Sequence, residues 1–149
     1  MHSPHEVFLS QKIALTGRLV GQAFESRLAE HGSSGNAWLI LATLIGAAGD
    51  SVAMSQRELA QALHVGGPNM TVQLDKLQRQ GLVTRRADLA DRRVTRVAIT
   101  AKGRRTFTVL AGVVGEFETE VQREMSEREA AALSRSLDRI HSALGGPAD

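Results

Sequence analysis

The chain has 149 residues, of which 42% are hydrophobic and 23% charged, with a net charge of +2 and no cysteine. That length fits one domain with a sizeable core, and the lack of cysteine excludes disulfides, thiol redox sensing and thiolate zinc sites. Four Phe, one Trp and no Tyr argue against a single-strand binder built on exposed base-stacking platforms.

No signal-peptide-like run opens the chain, and no apolar stretch nears membrane-spanning length. The richest, Ala37 to Ala48, runs into Gly49-Asp50. The expectation is a cytoplasmic protein with no membrane partner.

Taken in order, Ser3-Pro4-His5-Glu6 joins a capping serine, a proline at the first helical position and a glutamate that can reach back to the cap. Val7, Phe8, Leu15, Leu19, Val20, Phe24 and Leu28 follow at helical spacing, and Gly32 ends the helix. A second helix begins near Ser34 or Asn36, carries Trp38, Leu41 and Leu44, and is expected to stop at Gly46 to Gly49. Apolar nearly all round, it reads as a central helix. Ser55-Gln56-Arg57-Glu58 is a capping box that opens a short helix with Leu59, Ala60 and Leu63 inward. His64-Val65-Gly66-Gly67 breaks it and Pro68 restarts the chain. The next helix turns Met70 or Val72, Leu74 and Leu77 inward and closes at Gly81. Leu82-Val83-Thr84 reads as a strand, and Thr95 to Ile99 alternates as its antiparallel partner. Thr100 can cap a long helix from Ala101 to about Glu124. Ser126-Glu127-Arg128-Glu129, a third capping box, opens a last helix with Leu133, Leu137, Ile140 and Leu144.

Charge is concentrated in one place. Residues 85–105 hold eight Lys/Arg against two Asp/Glu, whereas residues 1–84 balance at zero and residues 106–149 carry −4. Like charges crowded on a hairpin repel, so such a density suits a surface that meets a polyanion.

Two short helices joined by a glycine-containing turn, then a two-stranded hairpin, describe a winged helix-turn-helix over about residues 52–100. The second helix has the width of a DNA major groove. On it Asn69 and Gln73 are amides able to contact adenine, and Thr71 can meet a phosphate or a thymine methyl. An exposed helix also needs polar residues for solvation alone. At the hairpin tip, Asp91-Arg92-Arg93 offers two guanidinium groups and a carboxylate to orient one; an arginine on a narrow loop suits the minor groove. The alternative is a solvated turn whose Asp and Arg pair with each other.

The order Leu59-Ala60, Pro68, Leu74-Asp75-Lys76-Leu77, Gly81-Leu82-Val83, Asp91-Arg92-Arg93, Val97, Ile99-Thr100 and Gly103 resembles the MarR family of bacterial transcription regulators over nearly the whole chain. The resemblance implies a mainly α fold with a small β-hairpin wing, flanked by N- and C-terminal dimerisation helices at about residues 3–31 and 101–144. It implies a single domain over 1–149, a homodimer, a pseudo-palindromic double-stranded DNA operator, and a repressor released by a small aromatic or phenolic effector. The DNA-binding residues would be Pro68, Asn69, Thr71, Gln73, Lys76, Arg79, Arg85, Asp91, Arg92 and Arg93. Gly66-Gly67 stands where many members have a serine cap and a basic or polar residue, and Val72 where arginine is frequent. The second helix is thus lean in basic residues until Lys76 and Arg79, which shifts reliance to the wing and to DNA shape.

The terminal helices carry more apolar positions than a winged unit can cover, which favours a two-fold dimer over an intramolecular bundle. Phe24 and Trp38 are candidate walls of an effector pocket, or simply core. No catalytic constellation or phosphate-binding glycine loop is present, so no enzyme and no cofactor is expected. The five histidines, His2, His5, His31, His64 and His141, are scattered, and no metal site is assigned. A zinc-responsive regulator of the same fold and a winged-helix protein-interaction module are the alternatives.

Overall fold

In a computed structural model, described over residues 8–47 and 53–146, the chain forms two compact units, Met1–Val113 and Val114–Asp149. The first unit begins with α1 (Leu9–Ala29), entered at Phe8 without a side-chain cap; the expected cap at Ser3 lies outside the described residues. Three residues past α1, Gly32 takes a left-handed φ of 67°, and the Ser33 N–H donates back to the Leu28 carbonyl at 3.0 Å. That arrangement satisfies the last carbonyls and needs a residue free of the Cβ penalty. Helix α2 (Gly35–Ala47) follows. The Ser34 hydroxyl caps it through the Ala37 N–H at 3.2 Å, and the Glu25 carboxylate of α1 accepts from the Gly35 N–H at 3.0 Å. Helix α2 runs through Gly46, since one glycine costs a helix only about 1 kcal/mol, and ends at Ala47, within the expected stop at Gly46 to Gly49.

The capping box at Ser55 forms as the sequence indicates. Glu58 N–H donates to the Ser55 hydroxyl at 3.0 Å, and Ser55 N–H donates to the Glu58 carboxylate at 2.7 Å. It opens α3 (Gln56–Ala62), which leads through a tight turn into α4 (Gly67–Arg79). In the turn His64 holds a φ of 51°, while His64 N–H and Val65 N–H donate to the Gln61 and Ala60 carbonyls at 3.2 and 2.9 Å. The turn is therefore a Schellman closure with histidine where glycine is usual. Gly81, with a φ of 74°, ends α4 in the same way.

The hairpin pairs β2 (Val83–Ala87) with β3 (Thr95–Ile99), in register from Val83 opposite Ile99 to Ala87 opposite Thr95. Strand β2 runs longer than Leu82–Thr84. A third strand, β1 (Met54–Ser55), pairs with the other edge of β3, so the sheet order is β1-β3-β2. Two residues carry no alternation to read, and β1 exists only because β3 offers an edge.

Leu28, Ile40, Leu41, Leu59, Met70, Leu74, Leu77, Val83 and Val97 are fully buried. Helix α2 touches α1, α3, α4 and β3, as a central helix should. Helix α5 (Ala101–Gln122) starts at Thr100, whose hydroxyl accepts from Gly103 N–H at 3.0 Å and donates to the Gly81 carbonyl at 2.6 Å. That one side chain caps α5 and ties it to the end of α4.

In the second unit, Ser126 and Glu129 form another capping box and open α6 (Glu127–Ala143), which has no buried residue. Among the described residues no helix is long and apolar enough to cross a membrane.

Candidate nucleic-acid interface

Helix α4 has two faces set by its sequence. Met70, Leu74 and Leu77 are buried, which decides between Met70 and Val72 as the inward residue. At about 100° per residue, Asn69, Val72, Lys76 and Arg79 fall opposite that stripe, and all four are exposed. Pro68, also exposed, sits in the first turn. Gln73 lies on the flank and is half-buried. Thr71 is exposed but engaged: its hydroxyl accepts from Gln56 Nε2 at 2.8 Å and donates to the Gly67 carbonyl at 3.1 Å. It pins α4 to α3. Gly66 occupies the N-cap with no side-chain cap, so the first N–H groups of α4 have no side chain of their own to satisfy them.

The wing tip is built around two aspartates. The Asp88 carboxylate accepts from Ala90 N–H at 2.8 Å, Asp91 N–H at 3.1 Å and Arg96 Nε at 2.7 Å. The Arg96 hydrogen bond leads the effects that hold the Asp88 carboxyl down at about 2. The Asp91 carboxylate accepts from both the backbone N–H and the Nε of Arg93 at 3.1 Å. These bonds, led by the Arg93 side chain, also lower its pKa. Asp91 thus orients Arg93, and among the described residues Arg92 has neither hydrogen bond nor ion pair. Between wing, α3 and the turn lies an open cleft of about 1090 Å³ whose lining includes Arg57, His64, Gly66, Thr71 and Arg93.

Two further arginines hold the wing rather than decorate it. Arg85, on β2, points back to α4: it ion-pairs with Asp75 and donates from Nε to Gln78 Oε1 at 2.7 Å, with only 20% of its side chain exposed. Arg96 faces Arg86 directly across the hairpin, a like-charge pair that costs energy unless screened. Asp88 screens Arg96, with Glu58 of the capping box 3.5 Å away on the other side. Arg86, Arg104 and Arg105 remain exposed.

The site residues read from sequence therefore divide. Pro68, Asn69, Lys76, Arg79, Arg92 and Arg93 are exposed on α4 and the wing tip, whereas Thr71, Arg85 and Asp91 hold neighbours in place and Gln73 stands between. Arg96 and Gln56 were not legible as parts of the site. Register alone could have flagged Arg96, since a cation opposite Arg86 requires a nearby anion.

Away from this face, Trp38 stacks on Phe107 with ring centroids 4.9 Å apart and planes 2° from parallel. Both are half-buried. The Phe24 ring lies against Gly35, within 3.6 Å of where a Cβ would stand. Among the described residues no group of three His, Cys, Asp or Glu could hold a metal ion; His2 and His5 lie outside them.

Residues 31–94 match the model of the MarR family. Among solved structures the chain is similar to S. aureus MepR in complex with DNA, at 22% identity over 93% of this chain and 99% of that one, with a TM-score of 0.81. It is similar to the transcriptional repressor CouR bound to a 23-mer DNA duplex, at 24% identity over 89% and 92%, with a TM-score of 0.79. It is also similar to a mutant of E. coli MarR complexed with operator DNA, at 21% identity over 89% and 92%, with a TM-score of 0.77. At such identities the likeness establishes a shared fold.

Proposed function

We propose that the protein is a MarR-family transcription regulator acting as a homodimer on double-stranded DNA, a reading supported by the match of residues 31–94 to the model of that family. Helix α4 enters the major groove with Asn69, Val72, Lys76 and Arg79 outward, and the wing tip places Arg92 and Arg93 at the adjacent minor groove. The single observation that carries this reading is the wing tip itself. A loop organised by Asp88 and Asp91 presents Arg92 unpaired and Arg93 oriented, beside an exposed helix face of compatible chemistry.

Dimerisation is supported by apolar side chains left open within one chain. Leu9 and Leu19 on α1 are 70% and 66% exposed, and Leu133 and Leu137 on α6 are 46% and 40% exposed. A second copy covering these stripes sets two α4 helices on one side of the DNA, so the operator is pseudo-palindromic. We further propose repression relieved by a small aromatic or phenolic effector that meets the Trp38–Phe107 stack. Trp38 is the sole tryptophan, so its fluorescence reports such a ligand without labelling.

The test is binding of the purified protein to its upstream intergenic duplex and to a scramble, titrated against salt. Four cations per subunit, Lys76, Arg79, Arg92 and Arg93, give a slope of log K against log salt of about −7 for a dimer. A preference over the scramble with a slope near that value supports a sequence-specific regulator. No binding at low salt, or a shallow slope, refutes it in favour of a protein-interaction module.

A further inference from the structure

Beyond Pro68, which serves the first turn, Val72 is the one side chain on the outward face of α4 for which contact with phosphates supplies no role. It is 63% exposed and lies opposite the buried Met70, Leu74 and Leu77. Asn69 lies one turn before it, Lys76 one turn after, and Arg79 two turns after. A branched apolar residue is a weak helix former, and here it stays largely open to solvent.

Its neighbours sharpen the question. The Thr71 hydroxyl is engaged by Gln56 and by the Gly67 carbonyl, and Gln73 is turned to the flank and half-buried. Among the uncharged side chains of this face, hydrogen-bonding readout therefore falls to Asn69. The remaining central group is apolar, and the only apolar group that a base pair shows in the major groove is the thymine 5-methyl.

We propose that Val72 reads a thymine methyl, so that each half-site requires thymine at one fixed position. This rests on the DNA-binding reading above and adds a specificity determinant to it. Asn69 and Val72 are three residues apart, about 4.5 Å along the helix axis. That is close to the rise of one base-pair step, about 3.4 Å, so the thymine neighbours the base pair that Asn69 contacts.

The experiment begins by selecting duplexes from a random pool with the full-length protein. Each thymine of the selected half-site is then replaced in turn by deoxyuridine, which pairs identically and lacks only the methyl. We expect one position per half-site at which the replacement weakens wild-type binding about fourfold, the scale of one buried methyl. Val72→Ala should bind the thymine and deoxyuridine duplexes equally. Val72→Thr, which retains one γ-methyl, should keep part of the discrimination. Because the side chain is exposed and alanine is the better helix former, Val72→Ala should melt no lower than wild type. Indifference of the wild type to every deoxyuridine overturns the proposal, as does discrimination that survives in Val72→Ala. Failure of the wild type to select or bind any duplex overturns the DNA reading itself and is seen before any thymine is changed.

Discussion

Gly103 decides how α5 meets the root of the wing, and replacing it by alanine sets two effects against each other. On helix propensity alone, Gly103→Ala should stabilise the protein by about 1 kcal/mol. In place, however, the new Cβ would stand 2.1 Å from the Leu82 carbonyl oxygen, 2.7 Å from Ile99 Cγ1 and 3.1 Å from the Leu82 carbonyl carbon. An ordinary carbon–oxygen approach is about 3.3 Å or more, so α5 and the strand root must separate by roughly 1 Å. The obstructing atom is backbone and cannot rotate away. It also accepts the Thr100 N–H at 3.0 Å, beside the Thr100 hydroxyl that caps α5 and binds Gly81. Overpacking of this kind costs about 1–3 kcal/mol, and a weakened hydrogen bond about 1 kcal/mol more. The net expectation is destabilisation by about 2 kcal/mol. Urea unfolding at fixed protein concentration should show a midpoint lowered by about 1 M with an unchanged slope. Gly112→Ala in the same helix, where nothing lies within 4 Å, should hold or raise the midpoint. A Gly103→Ala protein as stable as wild type would refute the packing argument.

Further expectations concern charge. Arg92→Ala should weaken duplex binding and flatten the salt slope by about 0.9 per subunit without lowering the melting temperature. Arg93→Ala should weaken it more, because it also frees the Asp91 carboxylate beside the phosphates; the double change with Asp91→Ala should recover part of the loss, as read by fluorescence anisotropy. Arg85→Ala should leave the salt slope unchanged while lowering stability by about 1 kcal/mol, since Arg85 already binds Asp75 and Gln78. A flattened slope would instead make it a phosphate contact. The Asp88 pKa is depressed from 3.8 to about 2, so its support of the wing is complete above pH 3.8 and disappears as pH falls towards 2. Amide signals of Ala90 and Asp91 followed by NMR between pH 5 and 2 should lose their folded positions only at the acid end.

Much of this was legible in the sequence where the determinant is local. Ser55 with Glu58 and Ser126 with Glu129 announce helix starts because four consecutive residues suffice to form the reciprocal bonds, and Gly81 announces a helix end because its backbone conformation is its own property. The alternation of Thr95 to Ile99 gives β3, while β1 has no pattern and is made by its partner. Met70 rather than Val72 shares the buried face of Leu74 and Leu77, a choice that the helical period of α4 already makes. The wing showed its charge in the sequence but not its wiring. Whether Arg85 faces outward or back to Asp75, and which carboxylates screen Arg96, depend on a register and a helix placement that spacing does not encode. The stacking of Trp38 on Phe107 joins residues 69 positions apart and left no local trace.

The loop from Asp88 to Val94 is held by its own hydrogen bonds before any partner arrives. Its docking therefore has little chain entropy to lose, and association should resemble the meeting of rigid bodies rather than coupled folding. Calorimetry should accordingly find a heat-capacity change no larger than the dehydrated contact area requires. The temperature dependence of affinity would then report the dehydration of the contact surface and not the ordering of the wing.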